Sequence, residues 1–151
     1  MIRIISSILF SLVLLSDANA SEKKQCTQEE AFQAESEANT LKDWDSVYRS
    51  FRRFEHCDDG AISEGYSDTI GRQLAHDWEH FLRLNEICSS DKRFERFILK
   101  HVNSTMRANV WEIIINNTRL RCPSKAERLC KVIEARLVKI AAEAQGKPNM
   151  K

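Results

Sequence analysis

Between Leu41 and Phe54 the large apolar residues Leu41, Trp44, Val47, Tyr48, Phe51 and Phe54 recur at three- and four-residue steps. That is the spacing of one helical face, with Thr40 as the expected N-cap and Asp43 in the first turn. The stretch His56-Cys57-Asp58-Asp59-Gly60 breaks the pattern, and Asp58 or Asp59 is expected to cap a short helix carrying Ile62 and Tyr66. Ser67 or Asp68 offers a fresh cap for a helix that presents Ile70, Leu74, Trp78, Phe81 and Leu82 and runs to Ile87. Gly71 weakens its first turn. Asp91 opens the next helix, in which Phe94, Phe97, Ile98, His101 and Val102 share a side. Ser104 or Thr105 then caps a segment with Val110, Ile113, Ile114 and Leu120 facing inward. The run from Trp111 to Ile115 has strand propensity in isolation, but its flanks keep helical spacing. Pro123 suits the first turn of a last helix, whose buried face is Leu129, Val132, Ile133, Leu137, Ile140 and Ala144, ending near Gly146 and Pro148.

No strand-turn-strand pattern interrupts this series, so the expected fold is all-α, with five to seven helices packed as antiparallel hairpins. Residues 40–145 form the helical domain, 21–39 a polar lead-in expected as a frayed or short helix with Phe32 as its one large apolar residue, and 146–151 a fraying tail. Trp44, Trp78 and Trp111 are 34 and 33 residues apart, each followed by a cysteine 13, 10 or 11 residues on. A period in the thirties suits an α-helical repeat array. Trp44, Phe51, Trp78, Phe97, Ile114 and Leu137, each on the apolar side of its own helical period, are expected to be buried together.

The chain of 151 residues accommodates one domain. Its charges are interspersed at a net +1, without the basic patch a nucleic-acid partner requires. Arg49, Arg52 and Arg53 read as the wet face of their helix. Residues 1–20 have the form of a cleaved export signal: Arg3, an apolar core from Ile4 to Leu15, and the small-residue site Ala18-Asn19-Ala20. That core is too short to cross a bilayer comfortably, so the expected product is a periplasmic or secreted protein without stable membrane insertion.

Five cysteines in an exported chain imply disulfides with one thiol left over. Cys122 with Cys130 is the first expected pair. Positions eight apart on a straight helix are about 12 Å apart, too far for a bridge, so this pairing requires Cys122 to lie outside the helix. Cys57 with Cys88 is the second, which leaves Cys26 free; a Cys26–Cys88 pair is the variant of that scheme.

His76 and His80 stand at i and i+4, the ligand spacing of HExxH metalloproteases. Asp77 occupies the general-base position, and a third ligand would have to come from His101 or Glu134 through folding. Two solvated histidines on a polar helix face explain the pair more simply, and no metal or cofactor is expected. Asp58, Asp59, Gly60 and Glu64 lack the alternating ligands of a calcium loop, and helix capping accounts for them. The chain has no G-x-S-x-G elbow and no Gly-rich phosphate loop.

The segments HCDDGAISEGYSD and RCPSKAERLC resemble those of small exported bacterial helical proteins without an assigned activity, a likeness that brings no catalytic residue with it. Tetratricopeptide repeats share the period but not the residues that follow each Trp. At the level of class, signal, helices and disulfides are similar to immunity proteins that neutralise cell-wall-degrading toxins. The expected function is therefore a non-enzymatic, exported module that binds an envelope or secreted protein. The alternative is a metal-dependent enzyme built on His76 and His80.

Overall fold

The computed structural model describes residues 24–145, so the export pattern over 1–20 and the tail over 146–151 lie outside the described residues. Seven α-helices occupy the described residues: α1 (Gln28–Ala38), α2 (Trp44–Phe54), α3 (Gly60–His76), α4 (Phe81–Ser90), α5 (Lys92–His101), α6 (Ala108–Leu120) and α7 (Glu127–Gln145). No strand occurs among them, which makes the chain all-α.

Local chemistry sets most of the boundaries. A capping box opens α1, in which the Thr27 hydroxyl accepts from Glu30 N and the Glu30 carboxylate accepts from Thr27 N. The buried face of α1 consists of Ala34 and Ala38. Ala38 lies close to α3, where a Cβ on Gly65 would stand 2.9 Å from the Ala38 Cβ. Asp43, one turn later than Thr40, is the true cap of α2, and it forms a box with Ser46. Asp59 caps α3 at Gly60, whose φ of +50° is readily adopted only by glycine.

From Gly60 to His76 the helix is continuous, which corrects the expected new start at Ser67 or Asp68. Ser67 instead donates back to Ser63 O within the helix, and Gly71 lies against Met106 and Val110. The expected continuity through to Ile87 fails at Asp77, which leaves helical geometry at φ −117°, ψ 40°. Trp78 to His80 then form a 3-10 turn. There the Trp78 indole donates to Arg121 O at 2.9 Å and stacks on Phe81 at 4.1 Å. Asp91 alone separates α4 from α5 and caps the latter through Arg93 N and Phe94 N. Helix α6 starts at Ala108 without a side-chain cap, not at Ser104 or Thr105. Thr105 is held in a turn around Asn103 Oδ1. Leu120, expected inside, is 80% exposed.

Helices α1, α3, α6 and α7 pack in a row, each against the next; α4 pairs with α5, α5 packs on α3, and α2 touches α1, α4 and α5. The three tryptophans sit at unlike places: the first turn of α2, a 3-10 turn, and the body of α6. The recurrence in sequence therefore does not correspond to equivalent positions in a stacked array. Trp44, Phe51, Trp78, Phe97, Ile114 and Leu137 are all buried. The aromatic centre of the core joins Phe51, Phe94 and Phe97 to Tyr66, with Phe51 and Phe97 4.9 Å apart. No helix among the described residues is long and apolar enough to cross a membrane.

Two disulfides close the chain, Cys122–Cys130 and Cys26–Cys57. The first forms because Cys122 precedes Pro123 and a 3-10 turn at Ser124–Ala126, so the chain folds back to a Cα separation of 6.2 Å. The second corrects the expected Cys57–Cys88 pair, and with it the variant Cys26–Cys88: Cys88 is a free, fully buried thiol on the inner face of α4. Chain-entropy arguments give about 3.7 kcal/mol for the loop closed by Cys26–Cys57 and about 2.5 kcal/mol for that closed by Cys122–Cys130. Urea unfolding of the two double Cys→Ala variants should rank them in that order. The reverse order would mean that residues 24–57 are held chiefly by packing instead.

Candidate functional site

The break at Asp77 removes the geometric basis for a paired-histidine site. His76 ends α3 and His80 ends a separate turn, so they do not lie one turn apart on one helix. The exposed His80 Nδ1 contacts Asp77 Oδ1 at 2.6 Å, and this hydrogen bond raises the imidazole above its ordinary pKa. Asp77, Glu79 and His80 form a loose, largely exposed group. Glu134, one suggested third ligand, accepts from Arg119. His101, the other, is fully buried on α5.

His101 belongs to a polar cluster inside the molecule that sequence spacing did not reveal. Its Nδ1 lies 3.0 Å from Ser67 Oγ and its Nε2 3.1 Å from Asp58 Oδ2. A carboxylate can only accept, so Nε2 carries the hydrogen. Lys100 Nζ donates to the same Asp58 oxygen at 2.7 Å, and the Asn103 amide donates to Ser67. Burial alone would raise the Asp58 carboxyl. The hydrogen bonds and charges of His101 and Lys100 outweigh burial and hold it below its ordinary value. Serine, histidine and aspartate thus occur in sequence of contact as in a hydrolase. With Ser67 2% and His101 0% exposed, no substrate carbonyl can reach the hydroxyl in this structure. The cluster works as a clasp that joins the turn before α3 to the end of α5.

A second cluster surrounds the Cys26–Cys57 bridge. Glu30 Oε2 lies 3.3 Å from His56 Nε2, and both stand beside Cys57 Sγ. Hydrogen bonds from Lys24 and from the Thr27 backbone hold the Glu30 carboxyl down to about 2. The Thr-x-x-Glu capping box at Thr27 was the one sequence signal that could have located Glu30. Cys88 has no such activating neighbourhood, since burial pushes its thiol up to about 12.

The outer surface carries a groove of about 420 Å³ across the row of helices, lined by Asn39 just after α1, Asp68, Arg72 and His76 of α3, and Arg107 and Val110 around the start of α6. Asn39 also borders a shallower depression with Phe32, Glu35 and Ser36. Phe32, Glu35, Ser36 and Asn39 follow one another at helical spacing and form a single stripe on α1. Phe32 is 75% exposed. No family model, curated protein or solved structure matches the chain. The site must therefore be read from its own chemistry.

Proposed function

We propose that the chain is an exported, non-enzymatic helical module that holds an envelope or secreted protein on the face formed by α1, α3 and the start of α6. The observation that carries this reading is Phe32. A phenylalanine left 75% exposed on an otherwise polar helix contributes little to the fold. In a depression that meets, at Asn39, a groove edged by Asp68, Arg72, His76 and Arg107, it has the make-up of an aromatic anchor with a charged rim. A toxin-neutralising or inhibitory role fits such a face, since neither requires chemistry from the module itself. Export rests on the signal-like pattern of residues 1–20 and is supported by two disulfides.

The test places a photo-crosslinking amino acid at Ser36 or Arg72 and compares capture from the periplasm with and without Phe32→Glu. Phe32→Glu should leave stability within about 0.5 kcal/mol, as is usual for exposed positions, while abolishing the crosslinked species. Undiminished crosslinking by the variant would place the anchor elsewhere, and crosslinks to small molecules only would remove the protein-binding reading.

A further inference from the structure

We infer that reductive opening of the Cys26–Cys57 disulfide converts the start of α1 and the end of α2 into a zinc site formed by Cys26, Cys57, His56 and Glu30. Three of the four donor atoms, Glu30 Oε2, His56 Nε2 and Cys57 Sγ, already lie within 4.8 Å of one another. The fourth, Cys26 Sγ, is covalently joined to Cys57. Two thiolates, an imidazole and a carboxylate are a donor set that zinc takes in tetrahedral geometry, and the two sulfurs and the ring nitrogen suit calcium or magnesium poorly.

An independent observation is the state of His56. Its side chain is only 10% exposed, and its buried Nε2 has no hydrogen-bond partner. The Glu30 oxygen 3.3 Å away is close enough to pair with it but is not aligned for a hydrogen bond. A buried ring nitrogen left unpaired is costly, and a ligand position explains its orientation towards the bridge and the carboxylate. Glu30 also has the outer contacts typical of a metal-binding carboxylate. Lys24 Nζ donates to Oε1 at 2.6 Å, and Thr27 N donates to Oε2 at 3.1 Å.

In the oxidised chain the two sulfurs carry no charge and bind zinc poorly, so only Glu30 and His56 remain as donors. A dithiol reductant transfers two electrons to the Cys26–Cys57 bond and becomes a disulfide itself, leaving two thiols on the chain. Zinc then displaces one proton from each thiol. The Cα separation of 4.9 Å brings both sulfurs to one ion by side-chain rotation. Metal–ligand distances of about 2.0–2.3 Å set tetrahedral donors roughly 3.3–3.8 Å apart, so Glu30 and His56, 3.3 Å apart, already stand at that spacing, while the two sulfurs move apart once their bond is broken. The second disulfide has no histidine among the residues that line its surroundings and serves as the internal control. Bound zinc would in turn keep the two thiols from re-oxidising, which makes the site a reversible alternative to the crosslink.

The test titrates zinc against a chromophoric chelator using the purified protein, oxidised and after anaerobic treatment with a phosphine reductant. Cys122→Ser/Cys130→Ser protein is run in parallel. The reduced wild type and the Cys122→Ser/Cys130→Ser variant should each bind one zinc, and the oxidised protein should bind none with comparable affinity. Cobalt in place of zinc should show thiolate-to-metal charge transfer. His56→Gln should weaken the reduced site by more than roughly 100-fold, since even outer-shell changes cost about 10–100-fold. Glu30→Gln should weaken it less, because the amide oxygen remains a donor. Circular dichroism of each reduced variant shows whether the helices persist. Zinc affinity that is equal in wild type and His56→Gln, or equal before and after reduction, overturns the proposal. So does the absence of any zinc uptake by a reduced chain that keeps its helices.

Discussion

Phe97→Ala should destabilise the protein by about 3–5 kcal/mol, the range for truncating a fully packed aromatic. Its ring stands 4.9 Å from Phe51, 5.0 Å from Tyr66 and 4.4 Å from His101, so one truncation removes several aromatic contacts, each worth about 0.5–1.5 kcal/mol beyond its area. Those three neighbours lie on α2, α3 and α5, and collapse of one helix cannot fill the resulting void. A domain of this kind has about 5–15 kcal/mol in total, so the variant should unfold at much lower urea concentration. Leu137→Ala, at a 0% exposed position on α7, should cost about 2–5 kcal/mol. Losses under roughly 0.5 kcal/mol at both sites would mean that these faces are exposed in solution.

Asp58→Ala should cost about 3 kcal/mol at neutral pH. Removing one member of a buried pair typically costs about 3–5 kcal/mol. The lower end applies because Asp58 Oδ1 already lacks a partner and Lys100 can return to solvent. His101, fully enclosed, cannot, and its Nε2 hydrogen would be left without an acceptor. The folded carboxyl lies below its ordinary value of 3.8. Its contribution is therefore present above that value and is lost as pH falls through the lower folded value. The gap between wild type and Asp58→Ala should accordingly narrow in urea melts as pH drops below about 4. Glu30, Asp45, Asp91 and Glu95 are also held low, so the informative quantity is the difference between the two proteins. Parallel pH profiles would show that the Asp58 charge does not support the clasp.

Helix periodicity was legible wherever large side chains made up the buried face. Helix α2 buries Trp44, Val47, Phe51 and Phe54 at the expected steps. Helix α1 was legible only as a frayed or short helix, because its inner face is Ala34 and Ala38, which leave no large-residue pattern. The break at Asp77 was hidden because Trp78, Phe81 and Leu82 continue a helical spacing. Only the long-range bond from Trp78 to Arg121 O shows that the indole is committed to another element. Ile114 was read correctly, whereas Leu120 in the same helix was not, since hydrophobicity alone does not say where a helix face meets the next element. Disulfide partners depend on the packing of α1 near the end of α2. No spacing in the sequence encodes the 4.9 Å approach of Cys26 to Cys57.

The burial of Cys88 has a consequence for how the chain matures. An odd thiol invites mispairing and intermolecular adducts while the polypeptide is still extended, because thiolate attack needs access and ionisation. Once α4 and α5 close, Cys88 loses both, being fully enclosed with its thiol pushed up to about 12. Core formation thus edits the set of reactive sulfurs and withdraws the fifth from exchange. Four then remain, two of them only eight residues apart. An oxidant that acts before the core forms meets five competitors, and one that acts afterwards meets two native pairs. Oxidation of this chain is therefore a race that its hydrophobic collapse has to win.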